Sequence, residues 1–151
     1  MPIYRLCRRF TIESGHMLSK HPEKCRWPHG HTRTIEVVVS AAELDSRDMV
    51  VDFKALKLAL GETVERYDHR MAINSADPLR SSIESIHPDS TIVYEGVDPT
   101  TEVMAQVLFE AIAGILDVGY QHETYAIPPG RVRLERVRVW ETPTSWAEFA
   151  V

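Results

Sequence analysis

The sequence is short of several things, and each shortage excludes something. Only two cysteines, Cys7 and Cys25, occur in 151 residues, so no disulfide framework replaces a core. The chain must bury apolar surface of its own, and at this length it does so as one domain over residues 1–151. No apolar run approaches the roughly 20 residues of a membrane-spanning helix. Met1-Pro2-Ile3-Tyr4-Arg5 does not open the apolar stretch of a secretory leader. A cytoplasmic setting is the expectation. Positive charge is also in deficit: 17 Lys and Arg against 22 Asp and Glu give a formal net charge of -5. That balance offers no footprint for nucleic acid or an anionic membrane. Internal repeats and low-complexity linkers are lacking too.

What is present reads as alternating elements. Ile3 to Ile12 mixes apolar and basic positions as a strand does, with Cys7 expected as a small buried residue inside it. A loop rich in Pro, His and charge runs to about Gly30. Thr32 to Ala42, with Ile35, Val37, Val38 and Val39, is a second strand. From Asp52 onward Phe53, Leu56, Leu60, Val64 and Tyr67 recur at helical spacing, and the Asp52 carboxylate suits the free N–H groups of a first turn. A connection from about Ala72 to Asp98 holds Pro78, Pro88 and Gly96, with room for a short strand at 90–95.

Pro99-Thr100-Thr101-Glu102 opens a second helix. Its expected buried stripe is Val103, Val107, Leu108, Ala111, Ile112 and Ile115. Arg131–Glu141 and Trp146–Val151 are further strands. In the first of these, Arg131, Arg133, Arg136 and Arg138 interleave with Val132, Leu134, Val137 and Val139. They read as the solvated side of a strand rather than a binding patch, and the phase change around Glu135 suits a β-bulge. The order ββααββ predicts an α+β domain, an antiparallel sheet with two helices on one face.

The densest chemistry lies between His16 and His31. His29 and His31 are two apart at the start of a strand, so both imidazoles leave the same face. If the flanking strands form a hairpin, His16 comes alongside them. Three neutral imidazoles with one position open suit a catalytic zinc ion, whereas structural sites are closed by four ligands. A lone His-Gly-His pair is more often an ordinary loop feature; His16 at hairpin distance and the polar Cys25 favour the metal. His21, His87 and His122 lack such geometry. Cys25 fits two roles, a fourth ligand or a reactive thiolate beside the metal, and spacing does not separate them. Asp68-His69 is a weak pair alone, more often a helix-end charge pair.

These residues fall in an ordered series: Phe10 and His16, Cys25 with His29-Gly30-His31, Met49-Val50-Val51-Asp52-Phe53, Asp68-His69 with Asn74, Pro99-Thr100-Thr101-Glu102, and Glu141-Thr142. The series resembles the 6-pyruvoyltetrahydropterin and 6-carboxytetrahydropterin synthase family over nearly the whole chain. The resemblance implies the tunnelling fold (T-fold), with sheets joined into a barrel and two trimers stacked as a hexamer. It implies zinc on His16, His29 and His31, and Cys25 as the base at the side-chain carbon next to the ring. It further implies Asp68 and His69 as a proton-relay pair that commonly comes from a neighbouring subunit. Glu141 would anchor the pterin ring, with Thr100, Thr101 and Glu102 completing its pocket.

The short spacing from Cys25 to His29-Gly30-His31 resembles the bacterial 6-carboxytetrahydropterin synthases of the queuosine and deazapurine pathway. The implied reaction converts 7,8-dihydroneopterin triphosphate to 6-carboxy-5,6,7,8-tetrahydropterin, releasing acetaldehyde and triphosphate. A 6-pyruvoyl product, or a pterin-binding protein without turnover, are the alternatives. The chain departs from the family pattern at Glu13-Ser14-Gly15, in one extra residue between Tyr67 and Asn74, in the long 75–96 connection and in the tail from Ser145.

Overall fold

A computed structural model of the chain describes residues 1–151. Its spine is a pair of 13-residue strands, β1 (Tyr4–His16) and β2 (His29–Ala41). They pair antiparallel along their whole length, from Tyr4 opposite Ala41 to His16 opposite His29. Ile35, Val37 and Val39 on β2 are fully buried, as β-branched side chains on a covered sheet face should be. On β1 the covered positions are the even-numbered ones, such as Ile12, Ser14 and His16. Cys7 therefore faces away from the helices and is exposed, contrary to the sequence expectation.

Helix α1 (Phe53–Glu65) begins where the Asp52 side chain accepts from the N–H groups of Lys54 and Ala55. Leu56, Leu60 and Val64 are buried without residual exposure, each contributing roughly 1.5–3 kcal/mol. Phe53, the first helical residue, lies on the outer side and is exposed. Helix α2 (Arg80–Ile86) is short, and helix α3 (Thr101–Val118) is capped by Thr100, whose side chain accepts from the Val103 N–H. The buried side of α3 is Met104, Ala105, Leu108, Phe109, Ile112 and Leu116, while Val107 and Ala111 face outward. The expected stripe is thus rotated: apolar residues ring much of this helix, so periodicity alone does not select a face.

The remaining strands are β3 (Met71–Asn74), β4 (Thr91–Tyr94), β5 (Tyr120–His122), β6 (Tyr125–Ile127), β7 (Arg133–Thr142) and β8 (Ser145–Ala150). The main sheet runs β4-β3-β1-β2-β7-β8, and β5 with β6 forms a separate hairpin. Pairing is antiparallel except that β3 runs parallel to the end of β1, and β4 parallel to β3. The α+β class holds, but ββααββ omits β3, α2 and the β5–β6 hairpin and treats β4 only as an option. Four-residue strands lean on an existing sheet edge and carry little period of their own. Helices α1 and α3 share one apolar core with the inner faces of β1, β2 and β7.

Two irregularities re-aim side chains of β7. Val38 pairs with Arg136 and Val39 with Leu134, so Glu135 is the extra residue of a bulge, as the phase change suggested. Near the strand's end Trp140 faces Trp146 and Thr142 faces Ser145, leaving Glu141 extra. Bulges of this kind turn a side chain off the regular alternation.

Candidate metal centre

The end of the β1–β2 hairpin brings His16, His29 and His31 together. Their ligand atoms lie within 4.8 Å of one another, and the His16 and His31 Nε2 atoms are 3.2 Å apart. Close approach of the two strands needs the opposed glycines. A Cβ on Gly30 would sit 3.2 Å from the Ser14 carbonyl, and one on Gly15 would sit 3.2 Å from the His29 carbonyl. The constraint at Gly30 is space, since its φ is not positive.

Two main-chain carbonyls orient the rings. His16 Nδ1–H donates to the Pro99 carbonyl at 2.8 Å, and His29 Nδ1–H donates to the Trp27 carbonyl at 2.7 Å. Each bond places the proton on Nδ1 and leaves an Nε2 lone pair. Burial pushes the pKa of His16 down to about 4, with the Arg33 charge adding to the effect. His31 shifts the same way, chiefly through burial and then Arg33. Neutral, pre-oriented imidazoles are what a divalent metal requires, so the donor set fits such an ion with a position left open.

Glu141 reaches the same point from the β7 bulge. Its Oε1 accepts from Thr101 Oγ1 at 3.0 Å and lies 3.6 Å from His16 Nε2 and 3.7 Å from His31 Nε2. Burial pushes the Glu141 carboxyl up, but the Thr101 hydrogen bond and the nearby His31 and Arg33 outweigh it and hold its pKa low. Thr100 acts as the α3 cap, and Glu102 is exposed in the first turn. Of the residues expected around the ring, the structure therefore joins Thr101 and Glu141.

Behind these groups stands Arg33, which is fully buried and which the sequence reading passed over. A signal existed, because Arg33 continues the phase of Ile35, Val37 and Val39 and so had to face inward. Asp98 is a second omission. It accepts from Ser19 Oγ (2.6 Å), the Lys20 N–H (2.8 Å) and Asn74 Nδ2 (3.0 Å). These bonds tie the loop after β1, the end of β3 and the approach to α3 into one support beneath His16.

Asp68 and His69 sit beside β1. Asp68 Oδ1 accepts from the Glu13 N–H at 2.8 Å, and Oδ2 accepts from His69 Nδ1 at 2.8 Å. The Glu13 bond and then the His69 bond lower the Asp68 pKa. His69, with a φ of 60°, is exposed, and it lines one cavity with His29 and His31. That cavity is about 700 Å³ and also takes in Glu13, Pro28, Arg70, Met71 and Ser90. His69 of the pair and His29 and His31 of the triad thus share one cavity wall within a single chain. Cys25, half-buried in the 3-10 turn Lys24–Arg26, neither lines this cavity nor joins the cluster of ligand atoms. A fourth-ligand role for it gains no support.

Relatives place this geometry. The chain is 29% identical over 143 residues to 6-carboxy-5,6,7,8-tetrahydropterin synthase of Rickettsia bellii, covering 93% of this chain and 96% of that one. It is 27% identical to the enzyme of the same name from Aquifex aeolicus, covering 97% of both. The structure of Caenorhabditis elegans 6-pyruvoyl tetrahydropterin synthase superposes with a TM-score of 0.67 at 20% identity, over 100% of this chain and 97% of that one. The expected tunnelling fold stands, and the relatives are synthases of the lyase type. Residues 5–150 match the family model for 6-pyruvoyl tetrahydropterin synthase, and the chain belongs to that family.

Proposed function

We propose that the chain is a zinc-dependent lyase acting on 7,8-dihydroneopterin triphosphate. With one water consumed, the products are 6-carboxy-5,6,7,8-tetrahydropterin, acetaldehyde and triphosphate, in the queuosine and deazapurine route. The observation that carries this reading is the convergence of three imidazole ligand atoms beside the Glu141 carboxylate, in a chain whose relatives bear the 6-carboxy name. Zinc on His16, His29 and His31 supplies a Lewis acid for the oxygens of the substrate side chain.

Glu141 accepts N–H donors of the amino-pyrimidine edge, beside Thr101, with Thr100 and Glu102 completing that end of the pocket. Cys25 takes a proton from the side-chain carbon next to the ring. Asp68 sets the tautomer of His69, leaving its Nε2 as the proton carrier of a residue that lines the cavity. The assembly is a hexamer of two stacked trimers in the cytoplasm; no helix here is long and apolar enough to cross a membrane.

Incubating the zinc-loaded protein with dihydroneopterin triphosphate and resolving products by mass tests the reading. The 6-carboxy product and acetaldehyde are expected. Formation of the 6-pyruvoyl compound assigns the other branch, and absence of both products sinks the proposal. Cys25→Ala should lower turnover by about a hundredfold or more while leaving pterin affinity within about threefold. An equal loss in affinity would remove Cys25 from proton transfer.

A further inference from the structure

Arg33 is a cation without solvent exposure, and the reaction set out above does not use it. A buried guanidinium persists where its donors are matched and its charge is answered. Its Nε donates to Ser14 Oγ and its Nη1 to Thr101 Oγ1, each at 3.1 Å. Nη2 lies 3.2 Å from Nδ1 and 3.5 Å from Nε2 of His16. Neither is a free acceptor: Nδ1 carries the proton given to Pro99, and the Nε2 lone pair points toward His31 and the metal position. The one carboxylate near this charge is Glu141, whose Oε1 is 4.0 Å from Nη2 and accepts from the same Thr101 hydroxyl.

That oxygen has two competing uses. At 3.6 and 3.7 Å from two imidazole Nε2 atoms, it stands near the roughly 3.4 Å that separates neighbouring ligands of a tetrahedral zinc with bonds of roughly 2.0–2.1 Å. A small swing from the bulge would make it a fourth ligand and close the open position. Bulged backbone does little to prevent such a swing. The restraint comes from the side chains behind it.

We infer that Arg33 is a positioning residue: directly and through Thr101, it holds the Glu141 carboxylate off the metal, leaving Oε2 to accept from the N–H groups of a neutral amino-pyrimidine ring. This rests on the pterin reading above. Removing the charge and the planar fork of Arg33 frees Glu141 to approach the imidazoles, so metal binding tightens while ring binding weakens. A residue that only filled space would weaken both together.

Zinc affinity by chelator competition, and neopterin affinity by fluorescence titration of the zinc-loaded protein, separate these cases. They are measured for wild type, R33M, R33K, E141Q and R33M/E141Q. R33M should bind neopterin about tenfold more weakly or worse and zinc several-fold more tightly, and with E141Q present it should change neither. R33K keeps the charge without the fork and should show smaller shifts of the same signs; it carries the test if R33M does not fold. Zinc binding that weakens or stays unchanged, neopterin binding that stays unchanged, or shifts that persist beside E141Q overturn the role of Arg33 and leave the pterin reading intact. A wild-type protein that binds no neopterin overturns the pterin reading and the role of Arg33 with it.

Discussion

The two ends of the β1–β2 hairpin are built from the same pairing and do opposite things. Toward Ala41, β2 offers Val37 and Val39 to the helices and β1 adds Leu6 and Phe10, with only the half-buried Arg8 between them carrying charge. Toward His29, the same face carries Arg33, His31 and His29, and β1 adds Ser14 and His16. The first end gains from burying apolar surface. The second holds buried polar groups that must be matched one by one, and it depends on Pro99, Thr101, Asp98 and Glu141 from other elements. Stability and chemistry are thereby segregated along a single pair of strands.

The sharpest way to break that division is at the polar end. His29 is only half-buried, so His29→Ala leaves the core intact and removes one of the three proposed metal donors. Turnover should fall on the order of a thousandfold, about 4 kcal/mol in the barrier, with bound zinc lost and the melting temperature of the metal-free protein nearly unchanged. Metal analysis beside calorimetry reads both. A parallel loss of metal-free stability would mean that the two ends are not separable.

The apolar side supplies the converse. Leu60→Ala opens a cavity beneath α1 where the side chain is fully buried, which should cost about 2–5 kcal/mol. Zinc stoichiometry should stay at wild-type level wherever the variant is folded. Denaturant titration checks the first number and metal analysis the second; zinc lost from the folded variant would contradict the segregation.

Sequence exposed these two ends unequally. The Asp52 cap, the helix start at Pro99-Thr100-Thr101-Glu102, the bulge at Glu135 and the three histidines were legible because each depends on local chemistry or on a two-residue period. Of the β3–α2–β4 excursion only the optional strand at 90–95 was legible, since β3 and β4 add to the end of β1 rather than standing on their own pattern. The face of α3 stayed ambiguous because apolar residues surround it. Arg33 was hidden by the habit of placing arginine outside, although its phase with Ile35 put it inside. Its partners Thr101 and Glu141 come from positions 68 and 108 residues downstream (101 − 33 and 141 − 33), and no local pattern reports such meetings.

Acidity sharpens the contrast through His16. Its folded pKa is depressed to about 4, first by burial, against about 6.5 in the unfolded chain. Between these values the unfolded state binds a proton that the folded state refuses. The contribution is therefore fully present above about pH 6.5 and is lost as pH falls toward 4. The metal-free protein should lose about 3 kcal/mol across that window from this group. Urea titrations at a series of pH values measure the slope, and His16→Asn should flatten it. A wild-type stability that stays level from pH 7 to 5 would contradict a neutral buried ring.

The smallest expected effect lies outside the hairpin. Asp52 caps α1 through two N–H groups, at 2.7 Å to Lys54 and 3.3 Å to Ala55. Removing such a cap costs about 1 kcal/mol. Asp52→Ala should lower stability by that amount, leave the pH slope of His16 untouched and change neither zinc nor pterin binding. Asp52→Asn keeps an accepting oxygen and should recover most of the loss. If Asp52→Ala instead weakened zinc, α1 would be coupled to the polar end of the hairpin. The division drawn along β1 and β2 would then belong to the pattern of burial and not to the energetics.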